Sequence, residues 1–294
     1  MSQPETTNDP LLAALEELAI ALRDESIPLI LGGGLGLFLK QRLRQQQARA
    51  GDVRTLLPAD VWPPARSTED MDLILPTEIV ADLGQMQSLR RVLDRLAYTP
   101  SVPHMQFVKT TPAGPVKVDL LTGPPHPPEL EANLRQSKPP RVQPSAGRAK
   151  LHAYATPEAL RPAVGATPVP IGVGVEALVA GPAALLLMKL HATRDRLNRG
   201  NRDLAGKHAL DLYRLLAMLT RDEEEGVIQL LRQHRAHPPV GEAEQIVTGL
   251  FATETSPGTI AAARQAAAGP GGGTTLSMRP FLETLHRLLS ARAE

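Results

Sequence analysis

Two aspartates one residue apart begin an apolar segment of this chain. Asp70 and Asp72 flank Met71, and the segment continues as Leu73-Ile74-Leu75. Residues two apart in a β-strand project to the same face, so both carboxylates are expected on one face of a sheet. Two like charges this close repel each other unless water solvates them or a divalent cation bridges them. The pair therefore indicates either a solvated strand end or a metal site.

A third aspartate lies inside another apolar segment. Asp119 is part of Val116-Lys117-Val118-Asp119-Leu120-Leu121, where a carboxylate without a partner is costly to bury. Three aspartates on adjacent strands can bind one or two Mg²⁺, with two carboxylates on the metal and one acting as base for an attacking hydroxyl. We therefore predict Asp70, Asp72 and Asp119 as catalytic and metal-binding residues.

A glycine turn precedes these aspartates. Leu29-Ile30-Leu31 forms a short apolar strand, and Gly32-Gly33-Gly34 opens the helix that follows. Backbone N–H groups at a helix N-terminus can face phosphate oxygens, and the alternative is a tight packing turn. Neither the Rossmann fingerprint nor the P-loop matches, because Leu39 replaces the third glycine and Leu39-Lys40-Gln41 is not Gly-Lys-Ser/Thr. Together with the aspartates, the turn suits a metal-bound nucleoside triphosphate.

A lysine interrupts the most apolar helix of the second half. Lys189 follows the apolar segment 183–188, and Thr193 and Arg196 share its helix face at i+4 and i+7. On the next helix Lys207 and Asp211 are four residues apart, so they form either an intrahelical ion pair or part of a cationic wall in which Asp211 orients a lysine. We predict Lys189 and Asp211 as catalytic residues under the second interpretation.

Further arginines follow on these two helices and between them. They form a local basic patch that is either a solvated face or a surface for phosphates, and they are Arg194, Arg196, Arg199 and Arg202.

Bulk composition narrows the class of protein. The 294 residues carry a net charge of +1, contain no cysteine and are 3% aromatic. These values exclude a disulfide framework and a thiolate metal site, and they disfavour an aromatic platform for single-stranded RNA. No apolar segment approaches the length of a membrane span, and residues 1–10 lack the features of a signal peptide. We expect a cytoplasmic protein without a membrane partner.

Hydrophobic periodicity and proline positions predict the elements. The helix over 35–50 is polar and basic beyond Lys40, and the prolines of 123–147 stop regular structure. The predicted helices are 11–23, 35–50, 78–97, 177–198, 203–219, 223–235, 241–252, 259–267 and 278–293. The predicted strands are 29–31, 71–75, 105–110, 115–122, 151–155 and 169–173. The pattern predicts an α+β fold, with an α/β domain over 1–150 and a helical domain over 151–294.

The motifs together resemble a known superfamily. The glycine turn, the segment Arg66-Ser67-Thr68-Glu69-Asp70-Met71-Asp72 and Val118-Asp119-Leu120 resemble the polymerase-β-like nucleotidyltransferases. Leu187-Met188-Lys189-Leu190-His191-Ala192 and the segment from Lys207 to Leu216 resemble AbiEii-type toxins and their MenT-type relatives. The resemblance covers residues 29–219, and residues 41–65 stand as an insertion relative to that family.

The resemblance implies a fold, roles for residues and an activity. It implies a polymerase-β-like α/β domain followed by an α-helical bundle, with Asp70 and Asp72 on Mg²⁺ and with Lys189 and Asp211 at the nucleotide. It also aligns Ser67 or Thr68 with the residue before the first aspartate. The predicted nucleotide-binding set is Gly32, Gly33, Gly34, Arg66, Ser67, Thr68, Lys189, Arg196 and Lys207. Family members are toxins of toxin–antitoxin pairs, and some add nucleotides to the 3′ end of tRNA.

Three functions remain open at this point. The first is an Mg²⁺-dependent nucleotidyltransferase that uses an NTP and an RNA or tRNA 3′ end, with a cognate antitoxin protein as a possible partner. The second keeps the fold but transfers to a small molecule or a protein hydroxyl. The third is a non-catalytic nucleotide-binding module, and the intact carboxylates and Lys189 argue against it.

Overall fold

The structure is a computed structural model, which describes residues 9–65, 68, 70–102, 104–137, 140–269 and 275–290. It divides into two compact units. The first unit comprises Met1–Gly36, Ser67–Thr156 and Ala166–Ala180, and the second comprises Leu37–Arg66, Pro157–Gly165 and Gly181–Glu294. The combination of a mixed sheet and many helices confirms the predicted α+β class.

A mixed sheet forms the first unit. Within the described residues its ten strands are β1 (Ile30–Leu31), β2 (Asp70–Leu75), β3 (Thr99–Pro100), β4 (Gln106–Thr111), β5 (Gly114–Thr122), β6 (Leu134–Ser137), β7 (Arg141–Pro144), β8 (Ala153–Ala155), β9 (Thr167–Gly172) and β10 (Val175–Val179). The order is β6-β7-β8-β5-β2-β1-β10-β9, and β4 pairs with both β5 and β3. Parallel pairs (β1 with β10, β2 with β5, β5 with β8) are mixed with antiparallel ones.

Ten α-helices lie within the described residues. They are α1 (Pro10–Asp24), α2 (Gly33–Ala50), α3 (Thr77–Ala81), α4 (Leu83–Arg95), α5 (Pro182–Asn198), α6 (Arg202–Ala217), α7 (Arg221–Gln233), α8 (Pro238–Leu250), α9 (Pro257–Ala267) and α10 (Met278–Ser290). Asp9 caps α1, with its side chain accepting from Leu11 N, and Pro10 occupies the first turn. Most of the predicted helices are thus confirmed within a few residues.

One face of the sheet is covered by helices. α1 contacts α4 and β5, and Lys109 on β4 pairs with Glu17 on α1. The fully buried residues Phe107, Val118 and Leu120 belong to this face. Burial of such side chains contributes about 1.5–3 kcal/mol each. Because side chains alternate along a strand, the residues between these positions lie on the opposite face of the sheet.

Three predicted elements differ from the structure. Residues 177–179, predicted as the start of a helix, belong to β10, whose burial alternates with period two. α5 begins only at Pro182, because proline favours the first turn of a helix. The helix predicted over 78–97 is divided at Asp82, whose side chain caps α4 by accepting from Gln85 N. The proline-rich segment still forms the antiparallel strands β6 and β7, which have four residues each. Pro144 is the last residue of β7, a position where a strand tolerates proline.

The second unit is helical, and α6 lies at its centre. α6 contacts α5, α9 and α10, and Tyr213 on α6 lies 5.3 Å from Phe281 on α10, measured between ring centroids. The segment predicted as an insertion is attached to the end of this helix, because Leu56 N donates to Leu219 O at 2.8 Å and Leu57 N donates to Ala217 O at 3.1 Å. The insertion is therefore attached to the second unit, although residues 51–61 are exposed or half-buried.

The polar and basic part of α2 begins with a buried ion pair. Lys40 is fully buried, with Nζ 2.6 Å from Glu223 Oε1, and Arg44 binds the same oxygen at 2.9 Å. Glu223 also completes a capping box with Thr220 at the start of α7. Burial is the largest single cause and opposes ionisation of Glu223, but the charge and hydrogen bond of Lys40, the backbone N–H of Thr220 and the charge of Arg44 together lower the pKa of Glu223. Lys40 is therefore part of a buried ion-pair network.

Candidate active site

Strand register brings the three aspartates of the first unit onto one face. β2 and β5 run parallel, with Asp70 opposite Lys117 and Asp72 opposite Asp119. Their neighbours Met71 and Val118 are fully buried on the helix-covered face. The carboxylates therefore project from the other face and lie on adjacent strands, as the spacing predicts.

Two polar side chains that the sequence analysis did not select contact these carboxylates. Lys117 Nζ lies 3.6 Å from Asp70 Oδ1, and Gln106 Nε2 donates to Asp119 Oδ1 at 2.8 Å. Lys117 precedes Asp119 by two residues, so strand alternation could have placed it on the same face. Gln106 carries no such signal, because only the register between β4 and β5 places it opposite Asp119.

The environment of Asp119 favours its protonated form relative to a carboxyl group in water. Burial is the largest cause and raises the pKa of Asp119. The hydrogen bond from Gln106 opposes this effect, the charge of Asp70 adds to it, and the charge of Lys117 opposes it. A carboxylate with a raised pKa is a better proton acceptor at neutral pH than an ordinary aspartate.

The glycine turn lies against the second aspartate. Gly32 N donates to the backbone oxygen of Asp72 at 2.8 Å, and Gly33 starts α2 with a φ of 60°. A Cβ atom at Gly33 would overlap Oδ2 of Asp72. The carboxylate of Asp72 is therefore packed on the N-terminus of α2, where the helix dipole stabilises a negative charge. Gly34 is buried in the first turn of the same helix.

Gly33→Ala is expected to displace Asp72 and to cost more than its backbone strain. Gly51 provides a matched control, because its φ is 79° and nothing lies within 4 Å of an added Cβ. Both alanines carry the strain of a left-handed conformation, roughly 1–2 kcal/mol. Urea unfolding should show a larger loss of free energy for Gly33→Ala than for Gly51→Ala. Equal losses would contradict the packing of Asp72 on the turn.

The remaining predicted residues of this segment are only partly described. Thr68 is half-buried, and its Oγ1 donates to the backbone oxygen of Asp70 at 3.4 Å. Arg66 and Ser67 lie outside the described residues.

The carboxylates can supply only some of the ligands that Mg²⁺ needs. Among the described residues, no three His, Cys, Asp or Glu side chains lie close enough to form a metal cage. Mg²⁺ is commonly bound by one or two carboxylates together with substrate phosphates. Oδ1 of Asp70 accepts no hydrogen bond, and its ion pair with the Lys117 ammonium is long at 3.6 Å, so a cation that displaces this ammonium would gain a carboxylate ligand. Asp70 and Asp72 therefore fit a metal that is shared with a phosphate group.

In the second unit, Lys189 and Asp211 form a buried ion pair. Lys189 Nζ lies 2.7 Å from Asp211 Oδ2, and Arg214 Nη1 lies 2.9 Å from Asp211 Oδ1. Arg214 also donates to the backbone oxygen of Pro64 at 2.6 and 3.0 Å. The side chains of Lys189 and Asp211 are 5% and 2% exposed. Asp211 therefore holds the Lys189 ammonium in place. Lys207, one turn before Asp211 on the same helix, is half-buried.

The arginines of the predicted basic patch differ in their surroundings. Arg194 pairs with Asp195 at 2.9 Å and with Glu242 at 2.6 Å. Arg196 is half-buried, and Arg199 and Arg202 are exposed at the end of α5 and the start of α6. Only the last two therefore present an accessible surface with little cover from the protein.

Comparison with known proteins gives little further information. No family model and no curated protein matches the chain. The solution structure of the antibiotic-resistance factor ANT(2'')-Ia is 14% identical, with a TM-score of 0.32, and the match covers 77% of this chain and 97% of that one. A TM-score this low supports no conclusion about fold or activity. In the described part of the chain, no helix is long and apolar enough to cross a membrane.

Proposed function

We propose that this chain is an Mg²⁺-dependent nucleotidyltransferase that transfers a nucleoside monophosphate from an NTP to an acceptor hydroxyl. One observation carries the proposal. Asp72 is packed on the glycine turn at the start of α2, with Asp70 on the same strand face and Asp119 on the neighbouring strand. Carboxylates for a metal and backbone N–H groups for a phosphate are thus adjacent, as phosphoryl transfer to a hydroxyl requires.

The reaction is an in-line displacement at the α-phosphorus. The acceptor oxygen forms a bond to the α-phosphorus, the bond from that phosphorus to the bridging oxygen breaks, and pyrophosphate leaves. Asp70 and Asp72 would hold Mg²⁺, and Asp119 would face the cation from β5 and take the proton of the acceptor hydroxyl. Mg²⁺ supplies charge neutralisation at the phosphate oxygens when it is bound. The position of Asp119 opposite Asp72 on the neighbouring strand supports its role as the base.

The family resemblance extends the proposal to the second unit. Lys189 and Asp211 match residues on which activity depends in AbiEii-type and MenT-type proteins. The ion pair at 2.7 Å supports a role for Asp211 in positioning the Lys189 ammonium. A fixed positive charge contributes to phosphoryl transfer mainly by positioning and electrostatic stabilisation.

The finer proposal is that the acceptor is the 3′ end of an RNA such as tRNA and that the chain acts as a toxin with a protein antitoxin. The family resemblance supports it, together with the exposure of Arg199 and Arg202. Incubation with Mg²⁺, total RNA and each α-labelled NTP in turn tests it. Label should enter RNA with at least one NTP. Label on a small molecule or a protein instead would favour the second function.

An RNA acceptor predicts salt-dependent binding through the exposed arginines. Each phosphate contact adds roughly 0.7 to the slope of log affinity against log salt for single strands and roughly 0.9 for duplex. Replacing Arg199 and Arg202 by glutamine should flatten the slope for a tRNA by about 1.4–1.8 if each arginine contacts one phosphate. The exposed residues Arg54 and Arg221 provide a control double variant with the same change of charge. Equal slopes in both double variants would contradict the proposal that Arg199 and Arg202 contact the RNA.

A further inference from the structure

A chain of polar side chains extends from the carboxylates to the outer strands of the sheet. The register places Asp72, Asp119 and Gln106 in one row across β2, β5 and β4. Gln106 Nε2 donates to Asp119 Oδ1 at 2.8 Å, and Ser101 Oγ donates to Gln106 Oε1 at 3.0 Å. Each group in this row therefore contacts the next one, from the exposed hydroxyl of Ser101 to the side chain of Asp119.

The contact with Asp119 fixes the orientation of the Gln106 amide, and the contact with Ser101 completes it. The oxygen and nitrogen of a glutamine side chain have similar shapes, so the hydrogen-bond network decides which one faces a neighbour. Asp119 accepts at Oδ1, which requires the NH₂ group of Gln106 to face it. The hydroxyl of Ser101 then donates to the amide oxygen. The backbone supports this arrangement, since Ser101 N also donates to Gln106 O at 2.9 Å.

A hydrogen bond to one carboxylate oxygen restricts the rotation of the whole group. Asp119 is half-buried and lies directly opposite Asp72. With Oδ1 held by Gln106, the carboxylate keeps one plane relative to β2. Partners of this kind orient the ligands of metal sites, and their loss typically reduces metal affinity by about 10- to 100-fold.

We propose that Gln106 is a positioning residue that orients Asp119 toward the cation of the active site, and that Ser101 holds Gln106 in place. The inference rests on the proposed function, because it assumes that a divalent cation binds beside Asp72. It adds two positioning residues to that function. Gln106 acts through Asp119, and Ser101 acts through Gln106.

The binding of Mn²⁺ by the full chain tests the inference without a measurement of activity. The variants are Gln106→Met, which keeps the length of the side chain but cannot donate, and Ser101→Ala. Thr110→Val on the exposed part of β4 is the control. Electron paramagnetic resonance measures free Mn²⁺. Gln106→Met should raise the dissociation constant about tenfold, Ser101→Ala should raise it less, and Thr110→Val should leave it unchanged.

The outcomes separate the inference from the proposed function. If Asp72→Asn loses Mn²⁺ binding while Gln106→Met and Ser101→Ala bind like wild type, the inference is wrong and the metal site stands. If wild type binds no Mn²⁺ that depends on Asp72, the proposed function fails and the inference fails with it. If Gln106→Met does not fold, Ser101→Ala decides. Weakened binding by that variant supports the inference, and unchanged binding overturns it.

Discussion

Asp70→Asn and Asp72→Asn are each expected to reduce nucleotide transfer by about a thousandfold or more. Asparagine keeps the size of the side chain but removes the charge that holds Mg²⁺. A bound metal contributes several kcal/mol of transition-state stabilisation, and each 1.36 kcal/mol corresponds to a factor of ten in rate. The measurement is the initial rate of incorporation of an α-labelled NTP at saturating Mg²⁺.

Both variants should keep the fold. Asp70 is 45% exposed and lies 3.6 Å from Lys117, and a pair so exposed to solvent contributes little to stability. Removing one of two neighbouring like charges also relieves repulsion. Asp24→Asn, at the exposed end of α1, controls for the loss of a carboxylate in the same unit. A wild-type rate in either active-site variant would exclude the metal assignment.

Lys189→Met is expected to reduce transfer by about a hundredfold and to destabilise the chain less than Asp211→Asn does. Removal of one preorganised donor typically costs about 10²–10³ in rate. Asp211 would still be paired with Arg214 at 2.9 Å, so the variant leaves no isolated buried carboxylate. Methionine also fills most of the volume that the lysine side chain occupies.

Asp211→Asn should behave differently from Lys189→Met. It leaves Lys189 and Arg214 buried without the carboxylate that they share, and breaking a buried pair in this way costs about 3–5 kcal/mol. Rates normalised to the folded fraction, together with urea unfolding, separate the two effects. Lys150→Met, on an exposed lysine, is the control. If Lys189→Met retains the wild-type rate per folded molecule, the ion pair is structural only.

Local sequence patterns were sufficient to predict those elements whose geometry follows from the spacing of polar and apolar residues. The alternation at Asp70, Met71 and Asp72 predicts the face of the carboxylates, and the apolar spacing of 11–23 predicts α1. The same reasoning failed at 177–179, which belong to β10 and not to a helix. A short apolar strand directly followed by an apolar helix cannot be separated from that helix by periodicity alone.

Long-range pairing was not predictable from the chain. Lys40 and Glu223 are 183 residues apart, so nothing near Lys40 in the sequence indicates that a carboxylate will neutralise it in the core. Gln106 is a similar case, because its role depends on the register of β4 against β5. The candidate site could therefore be predicted at its carboxylates but not at the side chains that hold them.

The position of the label in the NTP tests the central claim most directly. The chain is incubated with Mg²⁺, total RNA and the same NTP labelled either at the α-phosphate or at the γ-phosphate. Nucleotidyl transfer predicts that the α-label becomes covalently attached to the acceptor, that the γ-label appears only in pyrophosphate, and that Asp72→Asn abolishes both. Attachment of the γ-label to the acceptor, or no attachment of either label by the wild-type chain, would contradict the proposed reaction.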